Sequence, residues 1–585
     1  MEVKKFKQLP YGNSNFEKLI LENFAFVDKT RFIEMLENEN NSNQFFIRPR
    51  KFGKSLFLSM LSCYYDMLRT NQFSKLFDGL YIGTYPTPRK NSYAVIEFDF
   101  SGLDTRTPES FEKSFIRKVQ LLVQRFLKKY ESVFEQTDIL IGNIERNQTG
   151  IDSLEIAYSA AMAANVKIFV LIDEYDHFAN DLIAMGVKDV YKKMLQSNGI
   201  VRDFYETLKI GAKSVVDRIF ITGISPVMMD DLTSGFNIAD NLTLLKPYNN
   251  MLGFTLQEVE QLMDETGVNR DLINVDTVYS VQSTSMERYY NGYLFHPDAI
   301  DRVYNPSMML YFFNQIIREQ QVPRNIIDDN LKTDYGRLQR LTQNETNRDM
   351  LLQIVKDGGI VAEVQSKFSI DVLYSDKYFV SLLFYMGLLT IEKPVMGMVR
   401  LCIPNYSIKT VMWEYIMESV QISAGFTLNT EELNRAIMSL ALDGQAKPFL
   451  DYVSRNIFNR LSNRDLRNFD EKYIKIMLLN CLFQSKSYIP ISEIETNTGY
   501  IDIYLLRSPL VPEVKYEWIF ELKYFKASEK KLAAHRLDAQ KQLQSYHSSA
   551  MMKDRKDVKR AVILFIGKNK YELFENVFLQ NGIDH

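Results

Sequence analysis

Cysteine and histidine are scarce, with three cysteines (Cys63, Cys402, Cys481) and five histidines in 585 residues. The cysteines lie far apart in apolar surroundings, which argues against a disulfide framework or a thiolate zinc site and predicts buried thiols in a reducing compartment. No histidines are closely paired, so histidine-based metal chemistry is not expected either. Long apolar runs are missing as well. The N-terminus, MEVKKFKQLPYG, has no signal core, and no apolar run approaches bilayer length; a cytoplasmic chain without a membrane partner is expected. Charge of one sign is also lacking: 70 basic and 73 acidic side chains nearly cancel. No global field therefore draws the chain to nucleic acid, although a local basic channel would escape such a count. No internal repeat or low-complexity tract is visible.

The chain is long enough for three or four domains, each with its own core. Apolar residues at 46% and charged residues at 24% are ordinary for a globular protein. QFFIRP (44–49), YAVIEFDF (93–100), KIFVLIDE (167–174) and VVDRIFITGI (215–224) read as strands buried on both faces. Helical periodicity over 55–68, 110–130 and 189–208 separates them, the pattern of a parallel sheet covered on both sides. From about 257 to 450 the pattern is mainly helical, with KYFVSLLFYMGLLTI (377–391) a candidate core. Beyond about 468 a helix (471–484), strands (501–506, 517–522), a long helix (528–546) and a last strand (560–567) are predicted. The expected organisation is an α/β multidomain chain: 1–250 a parallel-sheet domain, 251–455 a mostly helical lid or middle region, and 456–585 a second α/β domain.

FFIRPRKFGKS (45–55) ends in Gly53-Lys54-Ser55, the closing half of the phosphate loop G-x-x-x-x-G-K-[ST]. Arg48 stands where the first glycine belongs, so the general pattern is broken. Gly53 lets backbone N–H groups turn toward phosphate at a helix N-terminus. Lys54 can reach the phosphates, and the Ser55 hydroxyl can ligate magnesium. A lone Gly-Lys-Ser at a strand–helix corner is common by chance. VLIDEYD adds weight, since an interior strand delivers Asp173 and Glu174 at its end, where an acidic pair without a cation would be costly. Thr222, at the end of IFITGI, could hold attacking water or sense the terminal phosphate.

FVDKTRFIEML (26–36), FFIRPRKFGKSLFLSML, VLIDEYDH, FITGISP, YYNGYLF (289–295), YNPSMML and LLFYMGLLTI followed by IPNY (403–406) resemble the bacterial AAA-ATPase-like proteins, over about 5–410. Those proteins carry arginine in place of the first loop glycine. The resemblance implies a P-loop ATPase core that binds ATP and Mg2+, with Lys54 and Ser55 as phosphate and magnesium ligands and Asp173 and Glu174 as the acidic pair. Arg48, Arg50 and Lys51 place positive charge beside the loop, where phosphate contact competes with plain surface solvation. Asp28, Lys29 and Thr30 match a family block whose role chemistry alone does not assign.

In YIDIYLL and WIFELKY, strand alternation puts Glu521 and Lys523 on one face of a hairpin strand and Asp502 on the partner strand. Two carboxylates from adjacent strands can clamp magnesium, and a lysine beside them can polarise a scissile phosphate. An exposed polar hairpin face would look the same, and E-x-K alone is a weak signal. Over about 468–570 the pattern resembles the PD-(D/E)XK nuclease superfamily, in the version commonly fused behind this ATPase-like module. The resemblance implies that Asp502 and Glu521 bind metal and that Glu471, Gln542 and Tyr546 support the site. The arginine of the family's G-R-x-D is absent from Gly499–Asp502. The combined expectation is an ATP-binding, ATP-hydrolysing protein coupled to Mg-dependent cleavage of DNA, with RNA as the alternative strand. In this reading Glu174, Asp502, Glu521 and Lys523 are catalytic. The rivals are a nucleotide-gated switch and an ATPase that remodels a partner, with a C-terminal domain that binds without cutting. A homo-oligomer or protein partner stays open.

Overall fold

The computed structural model describes residues 5–146, 149–179, 199–227, 237–272, 285–321, 323, 325, 327–328, 345–367, 376–424, 427–460, 470–496, 499–508, 510–525, 537–538, 541, 557–567 and 570–575. No helix among them is long and apolar enough to cross a membrane.

Five strands, β1 (Asn43–Ile47), β2 (Ala94–Asp99), β3 (Ile168–Asp173), β4 (Val216–Gly223) and β5 (Asp240–Asn241), form an N-terminal sheet in the order β2-β3-β4-β1-β5. Every pairing is parallel. The β-branched and aromatic run IFVLI of β3 is buried throughout, as expected of an interior strand. β4 lies between β1 and β3, so the phosphate-loop strand and the acidic strand are separated by the strand that ends in Thr222-Gly223. The helix Lys54–Tyr65 follows β1 and packs on β2 and β3. The helix Pro108–Lys129 begins with a Thr107/Ser110 capping box and proline in its first turn, which satisfy otherwise orphaned N–H groups. Its Phe111, Phe115, Val119, Val123 and Phe126 form the buried stripe of an amphipathic helix. Of the helix expected over 189–208, the described part is Ile200–Gly211.

The middle region is helical, as read from its periodicity, with a small sheet that the pattern did not suggest. β6 (Ile360–Ala362), β7 (Thr390–Val395) and β8 (Met398–Cys402) pair antiparallel in the order β6-β8-β7. Met396 (φ 47) and Gly397 (φ 81) make the tight β7–β8 turn, whose handedness suits the twist of the strands. KYFVSLLFYMGLLTI divides between the helix Asp376–Tyr385 and β7, and its Phe379, Leu383, Phe384, Leu388 and Leu389 are buried.

The C-terminal sheet is mixed: β9 (Tyr488–Thr496), β10 (Gly499–Arg507), β11 (Glu517–Phe525), β12 (Val558–Ile566) and β13 (Lys570–Glu575), ordered β13-β12-β11-β10-β9. Only β11 and β12 run parallel. The helix Glu471–Phe483, capped by Asp470, packs against β9, β10 and β11. The helix expected over 528–546 lies almost wholly outside the described residues. Segment 430–456 docks on this sheet: Trp518 Nε1 donates to the Leu440 carbonyl at 3.0 Å, and the Ala446 N–H to Glu575 Oε1 at 2.8 Å. Of the three thiols, all free, Cys63 and Cys481 are buried and Cys402 is only partly so, because it sits on the small middle sheet, not in a domain core.

Candidate functional site

The chain leaves β1 through Arg48-Pro49-Arg50-Lys51-Phe52 and enters the helix at Lys54. Lys51 (φ 66) and Gly53 (φ 90) both adopt left-handed backbone. Gly53 has open space where a Cβ would project, so glycine serves conformation there and not clearance. Lys51 holds that conformation against its side chain, a cost on the order of 1 kcal/mol. The middle region braces the loop from outside. Asn305 Nδ2 donates to the Arg50 carbonyl at 3.3 Å, and the Ser307 N–H to the Lys51 carbonyl at 3.3 Å. Phe52 packs edge-on between Tyr293 and Phe295.

Ser55 Oγ donates to Asp173 Oδ2 at 2.6 Å, joining the loop to the end of β3. Lys54 is buried, with Nζ donating to the carbonyls of Arg48 (2.9 Å) and Pro49 (3.0 Å). Burial lowers the Lys54 pKa, against the opposing charges of Asp173, Asp176 and Glu174. Burial raises the Asp173 pKa, against the Ser55 bond and the Lys54 charge. Glu174 also takes left-handed backbone (φ 49). Its carboxylate meets His177 Nδ1 at 2.8 Å, and this contact lowers the Glu174 pKa despite burial. Arg50, Lys51, Gly53, Lys54, Ser55, Glu174 and His177 border a cavity of 460 Å³, whose other wall is apolar and includes Phe26, Val27, Phe254, Leu262 and Leu310. A charged end and an apolar end suit a nucleotide's phosphates and base.

Arg48 corrects the sequence expectation. It lies away from this cavity, 1% exposed, and its guanidinium donates to the carbonyls of Ile47 (3.0 Å), Thr243 (2.8 Å) and Tyr248 (2.8 Å). Phe46 and Phe295 cover its faces at 4.2 and 3.9 Å. A planar cation stacked between rings and bonded to carbonyls through both Nη atoms is a structural bolt, and none of the guanidinium's described contacts leads to the cavity. Thr222 is also buried and off the cavity wall, and its hydroxyl has no hydrogen-bond partner among the described residues.

Several contributors escaped the sequence reading. Asp176 accepts from the Ile224 N–H (3.0 Å) and the Ser225 N–H (2.8 Å), while Tyr175 OH donates to the Ser225 carbonyl (2.6 Å). The residues after the acidic pair therefore lock the β4 exit. The unassigned Asp-Lys-Thr block also has a structural role. Asp28 accepts from the Thr30 N–H (2.8 Å) and the Tyr81 N–H (2.7 Å), and Lys29 pairs with Glu258 at 2.7 Å.

In the C-terminal domain, Ile503 pairs with Phe520 on the antiparallel β10–β11 ladder, and one further step sets Asp502 against Glu521. Asp502 Oδ2 accepts from the Leu522 N–H at 2.9 Å, and Lys523 Nζ donates to Glu521 Oε1 at 2.7 Å. Glu521 is 1% exposed, so it is not part of a solvated strand face. Burial raises the Glu471 pKa, opposed by Lys523 and reinforced by the Asp502 charge. Burial also disfavours charge on Lys523, but the Glu521 bond and the charges of Glu521, Glu471 and Asp502 raise its pKa overall. These four predicted residues thus come together at one end of the hairpin. Gln542 and Tyr546 lie outside the described residues. The sequence reading missed Lys475, which reaches Asp502 Oδ1 at 3.5 Å; its place one turn after Glu471 on the same helix was the available signal. Among the described residues, no three His, Cys, Asp or Glu side chains are arranged to hold a metal unaided. Two carboxylates completed by water and substrate oxygens would still suit magnesium.

Residues 10–233 match the family model described as "Predicted AAA-ATPase", and residues 469–575 match that of the PD-(D/E)XK nuclease superfamily. An uncharacterized protein in the vnfD 5' region of Azotobacter chroococcum mcd 1 is 26% identical over 318 residues, 53% of this chain and 52% of that protein. The chain thus spans about half the length of that curated relative. Among solved structures, the Walker-type ATPase paby2304 of Pyrococcus abyssi aligns over 66% of this chain and 94% of its own, at 13% identity and TM-score 0.37. The Aeropyrum pernix Orc1 protein, solved in complex with DNA, aligns over 71% and 98% at 11% identity and TM-score 0.27. Scores this low carry no functional argument. The loop and the acidic strand lie within the region matched by the predicted AAA-ATPase model, and the E-x-K hairpin lies within the region matched by the PD-(D/E)XK nuclease superfamily model.

Proposed function

We propose that the chain binds and hydrolyses ATP at the β1 loop and uses the nucleotide state to control a magnesium-dependent cut in DNA at the β10–β11 hairpin. The observation that carries the first half is the 2.6 Å Ser55–Asp173 bridge beside a buried Lys54. A hydroxyl and a carboxylate already in register would share a magnesium ion, which would neutralise phosphate charge there. In this reading Lys54 exchanges the Arg48 and Pro49 carbonyls for phosphate oxygens. Glu174, held ionised by His177, accepts a hydrogen bond from the attacking water and aligns it. At the hairpin, Asp502 and Glu521 would hold a cation that supplies Lewis acidity. Lys523 would swing from Glu521 to the scissile phosphate and stabilise its developing charge.

The coupling proposed here would run through contacts of the middle region. The Asn305 and Ser307 contacts tie the loop to the middle region. Asn405 Nδ2 then donates to the Asn291 carbonyl at 3.1 Å, and Tyr406 packs on Phe483 of the nuclease-like domain at 5.6 Å. In this reading the first boundary stays near 250, and segment 430–456, bonded to the C-terminal sheet through Leu440 and Ala446, is grouped with the C-terminal domain and not with the middle region.

The test is ATP turnover and magnesium-dependent plasmid cleavage by the full chain, with and without ATP. Lys54→Ala should abolish turnover and Lys523→Ala should abolish cleavage. Undiminished turnover in Lys54→Ala would overturn the nucleotide site, and equal cleavage with and without ATP would overturn the coupling. A second reading, a nucleotide-gated switch whose C-terminal domain binds without cutting, draws on the lysines that hold both carboxylates. It predicts nucleic-acid binding and no cleavage under any magnesium condition.

A further inference from the structure

The apolar wall of the cavity beside the phosphate loop comes from separate segments: Phe26 from the N-terminal stretch, Phe254 and Leu262 from the start of the middle region, and Leu310 from the helix Pro306–Glu319. Phe254 is the residue best built to hold a flat ring. Gly253 (φ 93) precedes it, at a point where a Cβ would meet the Val303 side chain at 2.8 Å. The Phe254 N–H then donates to the Tyr304 carbonyl at 3.1 Å, and the Tyr304 N–H to the Phe254 carbonyl at 2.8 Å. Its backbone is thus fixed while its side chain stays partly exposed, and no other ring stacks on it among the described residues.

This wall has little with which to read the edge of a base. Outside the loop and the acidic strand, the polar side chains among the described lining residues are Asn13, Ser14, Lys29 and Ser307. Lys29 Nζ is engaged by both Glu258 oxygens (2.7 and 2.8 Å) and by the Asn250 carbonyl (2.9 Å). Asn13 Oδ1 already accepts from the Asn15 N–H at 3.0 Å, and Ser14 is exposed, where water competes for its hydrogen bonds. Ser307 sits against the loop, its N–H bonded to the Lys51 carbonyl. A pocket built to bond a polar edge rejects the wrong ligand by orders of magnitude, whereas an apolar clamp tolerates any flat ring of the right size.

On the reading that the β1 loop binds a nucleotide, we propose that this site takes purine nucleotides without distinguishing adenine from guanine. The base stacks on Phe254 and is covered by Leu262 and Leu310, so the ring's area and not its edge sets the affinity.

The test is calorimetric titration of the full chain with four probes that the site does not turn over: ADP, GDP, CDP and ribose 5-diphosphate, which has no base. ADP and GDP should agree within about threefold, and each should bind about tenfold or more tighter than ribose 5-diphosphate. CDP should fall between, because its smaller ring covers less of the wall. Phe254→Ala should weaken ADP and GDP alike by about tenfold and leave ribose 5-diphosphate unchanged, which separates a lost base contact from a damaged fold. Phe254→Tyr, which keeps the ring, should retain both purine affinities. GDP weaker than ADP by about thirtyfold or more would overturn the proposal and mean that a base edge is read. Purine affinities no better than that of ribose 5-diphosphate, or indifferent to Phe254→Ala, would overturn it as well. Those outcomes leave the nucleotide site standing, whereas failure of all four probes to bind would remove that site and this proposal together.

Discussion

Replacing Arg48 separates two roles that the sequence could not distinguish. If Arg48 served phosphate, Arg48→Ala would weaken ATP binding and leave the fold alone. The structure predicts the reverse. The substitution strands the Thr243 and Tyr248 carbonyls, each bonded at 2.8 Å. Two lost charge-assisted bonds amount to about 3–6 kcal/mol. Uncovering Phe46 and Phe295 removes two cation–π contacts of about 0.5–2 kcal/mol each. Against this stands the relief of keeping a guanidinium out of water, several kcal/mol. The balance is a loss of about 3 kcal/mol, a large share of a typical domain's stability. Arg48→Gly, which restores the general phosphate-loop consensus, should be at least as damaging, because it adds chain freedom to the same losses. Urea unfolding of the full chain followed by tryptophan and tyrosine fluorescence, with ATP titration of the folded protein, reads both quantities. A stable Arg48→Ala protein with weakened ATP binding would refute the bolt and reinstate the phosphate contact.

At the hairpin, magnesium should raise the melting temperature of the full chain by preferential binding to the folded state, and Asp502→Asn with Glu521→Gln should abolish that rise. An unchanged magnesium response in the double variant would show that these acids do not share a cation. Glu471 gives a pH signature. Its pKa is raised in the folded state by burial, so between its unfolded value, about 4.3, and its folded value the folded chain holds the extra proton. Stability therefore falls as pH rises through that window and stays lower above it. Glu471→Gln should raise the melting temperature at pH 7.5 and change it little at pH 4; equal offsets at both would mean that Glu471 titrates normally. His177→Ala should release Glu174 from the partner that lowers its pKa. The midpoint of the acid limb of ATP turnover should then move to higher pH, and an unmoved limb would remove His177 from the site.

Local order carries the parts of this molecule that were legible in the sequence. The buried run IFVLID, the Gly53-Lys54-Ser55 corner and the E-x-K alternation each depend on residues a few positions apart, and the periodicities of strand and helix report them directly. What escaped depends on contacts between distant segments. Arg48 reads as a loop cation until the carbonyls of Thr243 and Tyr248, about two hundred positions away, are brought to it. Lys29 has no role that chemistry alone assigns until it meets Glu258. The β6-β8-β7 sheet was hidden because its strands are short and lie among helices, so their alternation is too brief to stand out. The same physics limits the site. A sequence can present Asp502, Glu521 and Lys523 in order, but only the β10–β11 register decides that they meet. Only the packing of a separate helix brings in Lys475. The two ends of the chain are therefore joined through the middle region by contacts that no single segment encodes. If the proposed coupling holds, Asn405→Ala, which removes the bond to the Asn291 carbonyl remote from both candidate sites, should make cleavage indifferent to ATP while leaving turnover unchanged.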